Sequence, residues 1–491
     1  MPEQETEAKP GFQGSQHTTV EATIYTRSGD PVILSGAGER DAVIPLDGQR
    51  PEDPHPALIA ATTEKSLGAP SGTWSLTMKP SRVTKQLFDQ ILDDDWVDIV
   101  FKQHNRQWHV MRGLVDNTRR GKTVAGTGAT SEVFTIMGRD FGKIFEVTPI
   151  WFSVLVDDAI TGGVSLKVFG GMPNVFGAPD DTVWGFLIGF LNELSGAGRA
   201  TWLMPSGMPG IAEDQRFAGN VFFDNSWFET DPERIAINAN YMMPQGTLWQ
   251  LAQQWSDPEF SELFVDTMPL RLYEDPLQEI APDQSTMVVM FRDRPFPTTE
   301  LGDGSPYFDL PVYTIPRQAL VSHDVGRAGM ERFNAFFVAP QIAQEVMQAG
   351  GIDLFLPEWD ADDILRHGLR RFDVNSLYAA ADADYLTLSR AQRAKMRDWH
   401  CLNPYFLSGS LDLGVGMPWV RIGTRARIPG IESEDQDETY YVESVAHNWT
   451  FGVGTRSSLG VTRGWIGTDA SLVDAMGIVA GNYAEPTRAQ P

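Results

Sequence analysis

The pattern of apolar and polar residues predicts strands at both ends of this chain. Residues 420–428 alternate strictly, and one set of alternate positions is largely cationic: Arg421, Gly423, Arg425 and Arg427. A period of two predicts a strand with one dry face and one cationic face turned to solvent. Residues 441–450 and 455–465 predict a hairpin around the turn Gly452-Val453-Gly454.

A second strand-rich block lies near the start of the chain. Thr73–Met78 alternates cleanly, and residues 97–101, 108–115 and 132–137 predict three more strands. The connection from Asp116 to Ser131 carries Arg119, Arg120 and Lys122, then Gly126 and Gly128, and we expect it to form a long, basic loop.

The region between the two blocks predicts helices and a few buried strands. Helices are expected at 181–191 and from Thr247 to Asp257-Pro258, where the proline ends the second one. Strands are expected at 263–265, 287–291, 318–324 and 332–338, followed by helices over about 345–405. One of these helices would place Ile364, Leu369 and Phe372 on one face.

Composition describes a large globular chain with a strong acidic bias. The 491 residues are 42% hydrophobic and 11% aromatic, which is enough for several packed cores. The net charge of −26 excludes binding that relies on neutralising nucleic-acid phosphates. Three copies around a channel would carry −78 and repel passing DNA, while the alternative is that acidic residues simply aid solubility.

The single cysteine and the absence of targeting signals suggest assembly in a reducing cytoplasm. Cys401 alone can form no intrachain disulfide, and the first residues resemble no signal peptide. The longest apolar run, Val183–Leu191, is too short to cross a bilayer, so no membrane insertion is expected.

Motifs that carry chemistry are incomplete. Gly121-Lys122-Thr123 lacks the glycine that a phosphate-binding loop needs five positions earlier. His104 and His109 would point to opposite faces of a strand, so we expect solvated histidines and no metal ligands. Cys401 beside His400 is expected to be a small buried residue at a helix end. We therefore predict no catalytic, cofactor-binding or metal site.

Several short motifs, in their order along residues 20–470, resemble the central baseplate hub proteins of contractile phage tails. They are Met111–Asp116 with its basic loop, Thr135–Lys143, Glu262–Asp266, Met290–Phe296 and Tyr440–His447. The spike-side module of secretion needles, the VgrG-type proteins, shares the plan of that family.

The resemblance implies an α+β, mainly β fold with two tail-tube-like β-barrels and additional α/β and helical insertion domains. The corresponding division is a flexible arm at 1–17, a first barrel at 18–150, a mixed middle domain at 151–262, a second barrel at 263–340 plus 406–470, a helical insertion at 341–405 and a tail at 471–491.

The resemblance also implies a structural role in the virion, without enzymatic activity or cofactors. Such hubs are homotrimers with six-fold pseudosymmetry that join the hexameric tail tube to the trimeric central spike. Further implied partners are the tape measure protein and other baseplate proteins, and genomic DNA would pass through without specific binding. The expected location is the tail baseplate, after assembly in the host cytoplasm.

The cationic row Arg421, Arg425 and Arg427 is a candidate subunit interface, because it would suit an acidic neighbouring copy. A solvated strand face is the alternative interpretation. Two other functions stay open: a peptidoglycan-degrading tail-tip enzyme, which needs two carboxylates in a cleft, and a carbohydrate-binding tail component, which needs exposed aromatic platforms.

Overall fold

The structure is a computed structural model. It describes residues 18–27, 29–36, 54–103, 106–124, 130–151, 202–212, 215, 217–224, 235–236, 245–256, 258–269, 280–295, 297, 306–340, 357–376, 379–380, 385–433 and 436–483. The predicted helix at 181–191 and the apolar run Val183–Leu191 lie outside these residues, as does His104.

The first block contains seven strands and two helices. They are β1 (Thr19–Tyr25), β2 (Pro31–Ser35), β3 (Leu58–Ser66), β4 (Thr73–Met78), α1 (Arg82–Phe88), β5 (Trp96–Gln103), β6 (Arg106–Val124), β7 (Thr130–Asp140) and α2 (Lys143–Val147). Ser81 begins α1, since its side chain accepts a hydrogen bond from the backbone N–H of Thr84.

Short elements follow in the middle of the chain. They are β8 (Pro149–Trp151), β9 (Val221–Asp224), β10 (Ile235–Ala236), β11 (Gln245–Thr247), α3 (Leu248–Ser256), β12 (Ser261–Pro269) and β13 (Ser285–Asp293). The antiparallel pair β12–β13, with β9 beside β13, forms a three-stranded sheet, and β13 is almost wholly buried as predicted.

The remaining elements are α4 (Pro306–Asp309), β14 (Val312–Thr314), β15 (Leu320–Gly326), β16 (Ala335–Pro340), β17 (Glu358–Trp359), α5 (Ala361–His367), β18 (Arg371–Ser376), β19 (Ala379–Ala380), α6 (Tyr385–His400), β20 (Leu407–Leu413), β21 (Arg425–Ser433), β22 (Gln436–Thr450), β23 (Gly454–Ile466) and α7 (Asp469–Ala480). The final hairpin β22–β23 confirms the sequence prediction.

One thirteen-stranded sheet runs through both blocks. Its path is β15-β20-β23-β22-β3-β4-β7-β6-β5-β1-β2, with β21 and β14 added beside β22. Each half has its own dry core: residues such as Leu76, Ile99 and Ile136 fill the first, and residues such as Leu411 and Leu459 fill the second.

The fold class predicted from the sequence, α+β and mainly β, is confirmed. Both halves of the large sheet curl around their cores. In the first, a single bridge joins Leu34 to His55, just before β3. In the second, residues 315–319 carry the chain from β14, beside β21, to β15, beside β20. The described strands do not pair into a complete ring, so each half is a curled sheet.

The predicted loop at 116–131 is wrong, because the chain continues as a long hairpin. β6 and β7 stay paired from Asn117↔Met137 to Val124↔Thr130. The cations lie on strand positions, and one of them is paired: the Arg120 guanidinium contacts the Glu132 carboxylate and lies over the ring of Phe134. A charged, glycine-containing stretch is therefore compatible with a ladder that projects into solvent.

The helical prediction for residues 361–372 holds only for its first half. α5 begins at the Asp360 cap and ends at Gly368, whose φ of 77° suits glycine. From Arg371 the chain is a strand, β18, parallel to β16. Residues 341–405 therefore contribute β-structure beside their helices, and the alternation over 371–375 is the signal that was missed.

Candidate functional site: the seam between the two blocks

The two blocks are joined by pairing between β22 and β3. The ladder is antiparallel and runs from Ser444↔Ser66 to Thr450↔Ala60. Trp449, at the end of β22, is buried in the core of the first block, and its Nε1 donates to the Thr18 carbonyl at 2.9 Å. The blocks thus share backbone hydrogen bonds as well as a core contact.

Next to this junction lies a buried polar cluster, which we call the seam. It consists of Lys65, Asp98, His109, Arg112, Asp140, Asp266 and Arg421, none of which exposes more than 7% of its surface. Charges this deep are costly unless they are paired. The pairs they make therefore determine what the seam can do.

Lys65 on β3 connects the first block to β12. Its ammonium group forms a short ion pair with the Asp266 carboxylate, and it lies 3.9 Å from Asp140 Oδ2. Burial raises the pKa of Asp140 to about 7, although Lys65 and the backbone N–H of Gly142 favour the ionised form. Asp140 is thus a buried carboxyl that titrates near neutral pH.

Arg421 crosses from the second block into the first. Its guanidinium donates to the His109 carbonyl at 2.9 Å and to the Val110 carbonyl at 3.4 Å, and it lies 4.0 Å from Asp266 Oδ1. Only 2% of Arg421 is exposed. A candidate surface residue is therefore a structural bridge inside the subunit.

Asp98 and Arg112 form a two-pronged ion pair on neighbouring strands β5 and β6. Arg112 Nε and Nη2 donate to the two carboxylate oxygens at 2.7 and 3.0 Å. The same guanidinium also donates to the Pro209 carbonyl at 2.9 Å. Burial disfavours the ionised carboxylate, but Arg112 and His109 outweigh it and hold the pKa of Asp98 well below its usual range.

His109 joins this pair to β13. Its Nε2 lies 3.1 Å from Asp98 Oδ1, and its Nδ1 shares a hydrogen bond with the Ser285 hydroxyl. Burial lowers the pKa of the imidazole. The expectation of a solvated histidine is wrong, because the strand turns His109 inward against the three-stranded sheet.

The order Ser285–His109–Asp98 resembles a nucleophile, a base and an orienting acid. All three residues are at least 97% buried, and the Ser285 hydroxyl donates to the Pro282 carbonyl. No substrate carbonyl reaches a hydroxyl in this position. The arrangement is therefore suited to fixing β13 against β6 and unsuited to acyl transfer.

A second buried pair ties β12 and β13 to the final hairpin. Arg292 Nη2 donates to Glu262 Oε2 at 2.9 Å, to the Gly423 carbonyl at 2.8 Å and to the Tyr441 hydroxyl at 3.0 Å. The Tyr441 hydroxyl is also 2.6 Å from Glu262 Oε2. These contacts fix the three-stranded sheet to the second block.

Gly423 explains why the alternation over 420–428 misleads. Its φ is 71°, and a Cβ there would lie 2.6 Å from Arg292 Nη2. The left-handed conformation turns the chain, so β21 begins only at Arg425. The period of two crosses a turn, and the predicted continuous cationic face does not form.

The other two candidates in the cationic row have different environments. Arg425 is 2% exposed; its guanidinium pairs with the Asp469 carboxylate at 3.1 Å and lies over the ring of Tyr307. The expectation of a solvent-facing side chain is wrong for Arg421 and Arg425. Arg427 keeps 46% of its side chain exposed, 3.9 Å from Asp437. A subunit contact by the row stays a prediction.

Other candidate chemistry is buried or not assembled. Cys401 follows α6 and is 4% exposed, and burial raises the pKa of its thiol to about 12. Burial likewise lowers the pKa of His400 to about 3. In the part of the chain that the structure describes, no three His, Cys, Asp or Glu side chains form a metal-binding group. None of its helices has the length and apolarity of a membrane span.

One cleft of about 840 Å³ opens at the end of the first block. It is bordered by the turn between β1 and β2, the turn before β5 and residues 202–207, including the aromatic side chains Tyr25, Trp96 and Trp202. Trp96 Nε1 donates to the Leu203 carbonyl at 3.3 Å, which holds one wall in place. Arg27 at the rim supplies a polar group: 65% of its side chain is exposed, and its Nη2 donates to the Asp93 carbonyl at 3.1 Å.

No family model matches the chain, and no curated protein matches it. Solved structures do. The chain is similar to a tail protein from Neisseria meningitidis MC58 at 14% identity, covering 90% of this chain and 96% of that one, with a TM-score of 0.49. It is similar to the 43 kDa tail protein of prophage MuSo2 from Shewanella oneidensis at 11% identity, covering 90% and 98%, with a TM-score of 0.46.

A third similar structure is an E. coli protein described as a component of the type VI secretion system that resembles the T4 tail proteins gp27 and gp5. The identity is 7%, the coverage 83% of this chain and 74% of that one, and the TM-score 0.37. The similar structures thus belong to phage tails and related secretion machines, the class named from the sequence.

Proposed function

We propose that this chain is a structural hub of a phage-type tail baseplate. Three copies form a ring, one face of the ring meets a six-fold tube, the other meets a three-fold spike, and DNA passes through the centre. The observation that carries the proposal is the pair of curled sheets joined by the β22–β3 ladder.

A joined pair of blocks suits a symmetry adaptor. A ring of three subunits presents six blocks, which can match six equivalent partners only if the two blocks of each subunit keep a fixed relative orientation. Lys65 and Arg421 supply that constraint, because each buried cation reaches from one block to fixed acceptors in the other. We assign the two tube-like modules to residues 18–150 and to 263–340 with 406–470.

The ring itself requires an edge that can meet a neighbour. β15 ends the path of the large sheet, and among the described strands only β20 pairs with it. Its Val321 is 72% exposed. An unpaired edge strand invites pairing with another chain, and a closed ring of subunits protects such edges. We place one subunit contact at this edge.

The proposed role is not enzymatic. Ser285 and Cys401 are buried away from substrate, and the chain's net charge of −26 disfavours retention of DNA through its phosphates. The proposed partners are the tube, the spike, the tape measure protein and other baseplate proteins.

The molar mass in solution tests the ring. Three copies of the 54.4 kDa chain give about 163 kDa by light scattering. Val321→Asp at the β15 edge is expected to shift the mass toward 54.4 kDa, while Val453→Asp, at a 51% exposed hairpin turn, leaves it unchanged. If the wild-type chain is a monomer at ~10 µM, the proposal is contradicted.

The cleft favours one alternative function, carbohydrate binding. Apolar and aromatic walls with a few polar groups are typical of small-molecule sites, and Trp202 offers a half-buried ring beside Arg27. Titration calorimetry with soluble peptidoglycan fragments tests this function. Binding that Trp202→Ala abolishes would support a receptor-recognition role, and no heat of binding would remove it.

A further inference from the structure

The solvent side of the large sheet is one continuous surface that crosses both blocks. We call it the outer face. Alternate residues of β3, β4, β7, β20, β22 and β23 form it, since their neighbours along each strand are buried. Its members are Ala60, Thr62, Glu64, Ser66, Thr73, Ser75, Thr77, Thr135, Met137, Arg139, Ser410, Asp412, Ser444, Ala446, Asn448, Thr450, Arg456, Ser458 and Gly460.

The register places these residues side by side across the sheet. One row runs Arg456–Asn448–Thr62–Ser75–Met137, and the next runs Asp412–Ser458–Ala446–Glu64–Thr73–Arg139. Both rows cross the β22–β3 junction without interruption. The outer face is thus a single surface and not two separate patches.

The outer face is made of small hydroxyl side chains. More than half of its members are serine or threonine, none is lysine, and Met137 is its one large apolar residue. Two neighbouring hydroxyls bond to each other across the β3–β4 pair, Thr62 Oγ1 and Ser75 Oγ, at 2.7 Å. A Cβ at Gly460 would lie 2.2 Å from Ser444 Oγ, so the surface is also tightly packed.

The charges of the residues named above balance. Its two carboxylates, Glu64 and Asp412, equal its two guanidiniums, Arg139 and Arg456. Arg139 is in addition paired with Asp116 at 2.7 Å. In a chain with a net charge of −26, a neutral surface of this width differs from the average surface. Further carboxylates adjoin its margins: Asp324 lies opposite Ser410, and Glu146 pairs with Arg139.

We infer that the outer face lines the central conduit, and that it works as a neutral, hydroxyl-bearing wall and not as an acidic repelling one. The inference rests on the proposed ring. It replaces the expectation that the summed charge of three subunits keeps DNA off the wall, because the charges within this face balance.

A conduit wall must neither bind the polymer that passes through it nor repel it strongly. Lysines or arginines in excess would retain DNA through counterion release, and large apolar side chains would hold an unfolded protein. An excess of carboxylates would raise an electrostatic barrier to a polyanion. Small hydroxyls that bond to each other and to water present none of these, so the wall is equally permissive to DNA and to protein.

Labelling in the assembled ring tests the location. Cys401 is buried, so Ser75→Cys and, as control, Gln90→Cys at the exposed turn after α1 each add one reactive thiol. After reaction with maleimide nanogold, electron microscopy is expected to show Ser75→Cys gold at the axis and Gln90→Cys gold away from it. Rings with Ser75→Cys gold on the outer rim overturn the inference and leave the proposed ring standing. Absence of rings overturns the proposed function itself.

Added charge tests the chemistry. Thr62→Lys with Ser75→Lys places lysines side by side on the outer face. Gln86→Lys with Gln90→Lys, which we call the α1 variant, adds the same charge on α1 and at the turn after it. With short duplex DNA at ~50 mM salt, the face variant is expected to retain at least about tenfold more DNA than wild type, with a steep salt dependence. The α1 variant is expected to match wild type.

A single variant keeps the charge test informative if the double variant folds poorly. Asn448 is exposed in the same row, so Asn448→Lys adds one lysine per subunit with little strain. It is expected to raise DNA retention less than the pair does. If neither face variant retains more DNA than the α1 variant in intact rings, the outer face does not line the path of DNA.

Discussion

The dry cores of the two blocks and the seam between them differ in chemistry and in structural role. In the cores, residues such as Leu76 and Leu459 are fully buried among apolar neighbours. In the seam, equally buried positions hold Lys65, Arg112 and Arg421 with their acceptors. Apolar packing is tolerant of direction, whereas a guanidinium between fixed oxygens has one geometry. The cores thus stabilise each block, and the seam fixes how the blocks sit together.

The largest expected effect comes from leaving one seam charge alone. Arg112→Met removes both bonds to Asp98 and leaves a buried carboxylate, which costs about 3–5 kcal/mol of unfolding free energy. Urea denaturation followed by fluorescence measures it. The double variant Asp98→Asn with Arg112→Met is expected to be more stable than Arg112→Met alone, because it removes the unpaired carboxylate. A double variant that is as unstable as Arg112→Met, or more so, would show that the lost Asp98–Arg112 ion pair does not cause the instability.

Truncations in the two cores are expected to differ from changes in the seam, because residues of separate cores do not depend on each other as the members of an ion pair do. Leu76→Ala and Leu459→Ala each remove buried apolar volume, at a cost of about 3 kcal/mol. They lie in different cores, so their costs are expected to add within about 0.5 kcal/mol. Coupling well beyond that value would mean that the two cores are not separate.

The pH dependence of the seam has a defined sign. The folded-state pKa of Asp140, about 7, exceeds its usual value of 3.8. Its contribution to stability is therefore full below about pH 4 and is lost as pH rises through about 7. Relative to Asp140→Asn, wild type should lose on the order of 1–4 kcal/mol between these values.

The comparison with Asp140→Asn isolates this group from others that titrate nearby. Burial lowers the pKa of His447 to about 3, which has the opposite effect on stability in acid, but both proteins contain His447. Asp89→Asn, at an exposed position on the end of α1, is the control and should show no such difference. A flat difference between wild type and Asp140→Asn would remove Asp140 as a titrating group.

The smallest expected effect concerns the one candidate of the cationic row that is half exposed. Arg427→Glu should change the unfolding free energy by less than about 1 kcal/mol, since exposed pairs contribute little. If Arg427 lies at a subunit contact, sedimentation velocity will show weaker association of the trimer, and the Arg317→Glu control, also exposed, will not. An unchanged association constant would place Arg427 outside the contact.

The strands were predictable from the sequence wherever alternation was uninterrupted. Thr73–Met78 and the final hairpin have one buried and one solvated face, and the period of two reports that directly. The sequence prediction was wrong where the local residue pattern pointed to a different structure from the one that forms. Charged residues in the β6–β7 hairpin looked like a loop, and Gly423 broke an alternation that looked continuous.

The seam could not be predicted, because it depends on contacts between distant parts of the chain. His109 meets Ser285, and Lys65 meets Asp266, across more than 170 residues of sequence. A lone basic residue in a predicted strand carries no sign of such a partner. Lys65 on the buried side of β3's alternation was the one local hint that a charge lies inside.

An image of the purified particle along its axis tests the central claim most directly. Three subunits whose blocks are fixed by the seam should appear in electron micrographs as a ring with an open centre and six similar lobes. A solid centre, three lobes without internal division, or isolated single subunits would contradict the account.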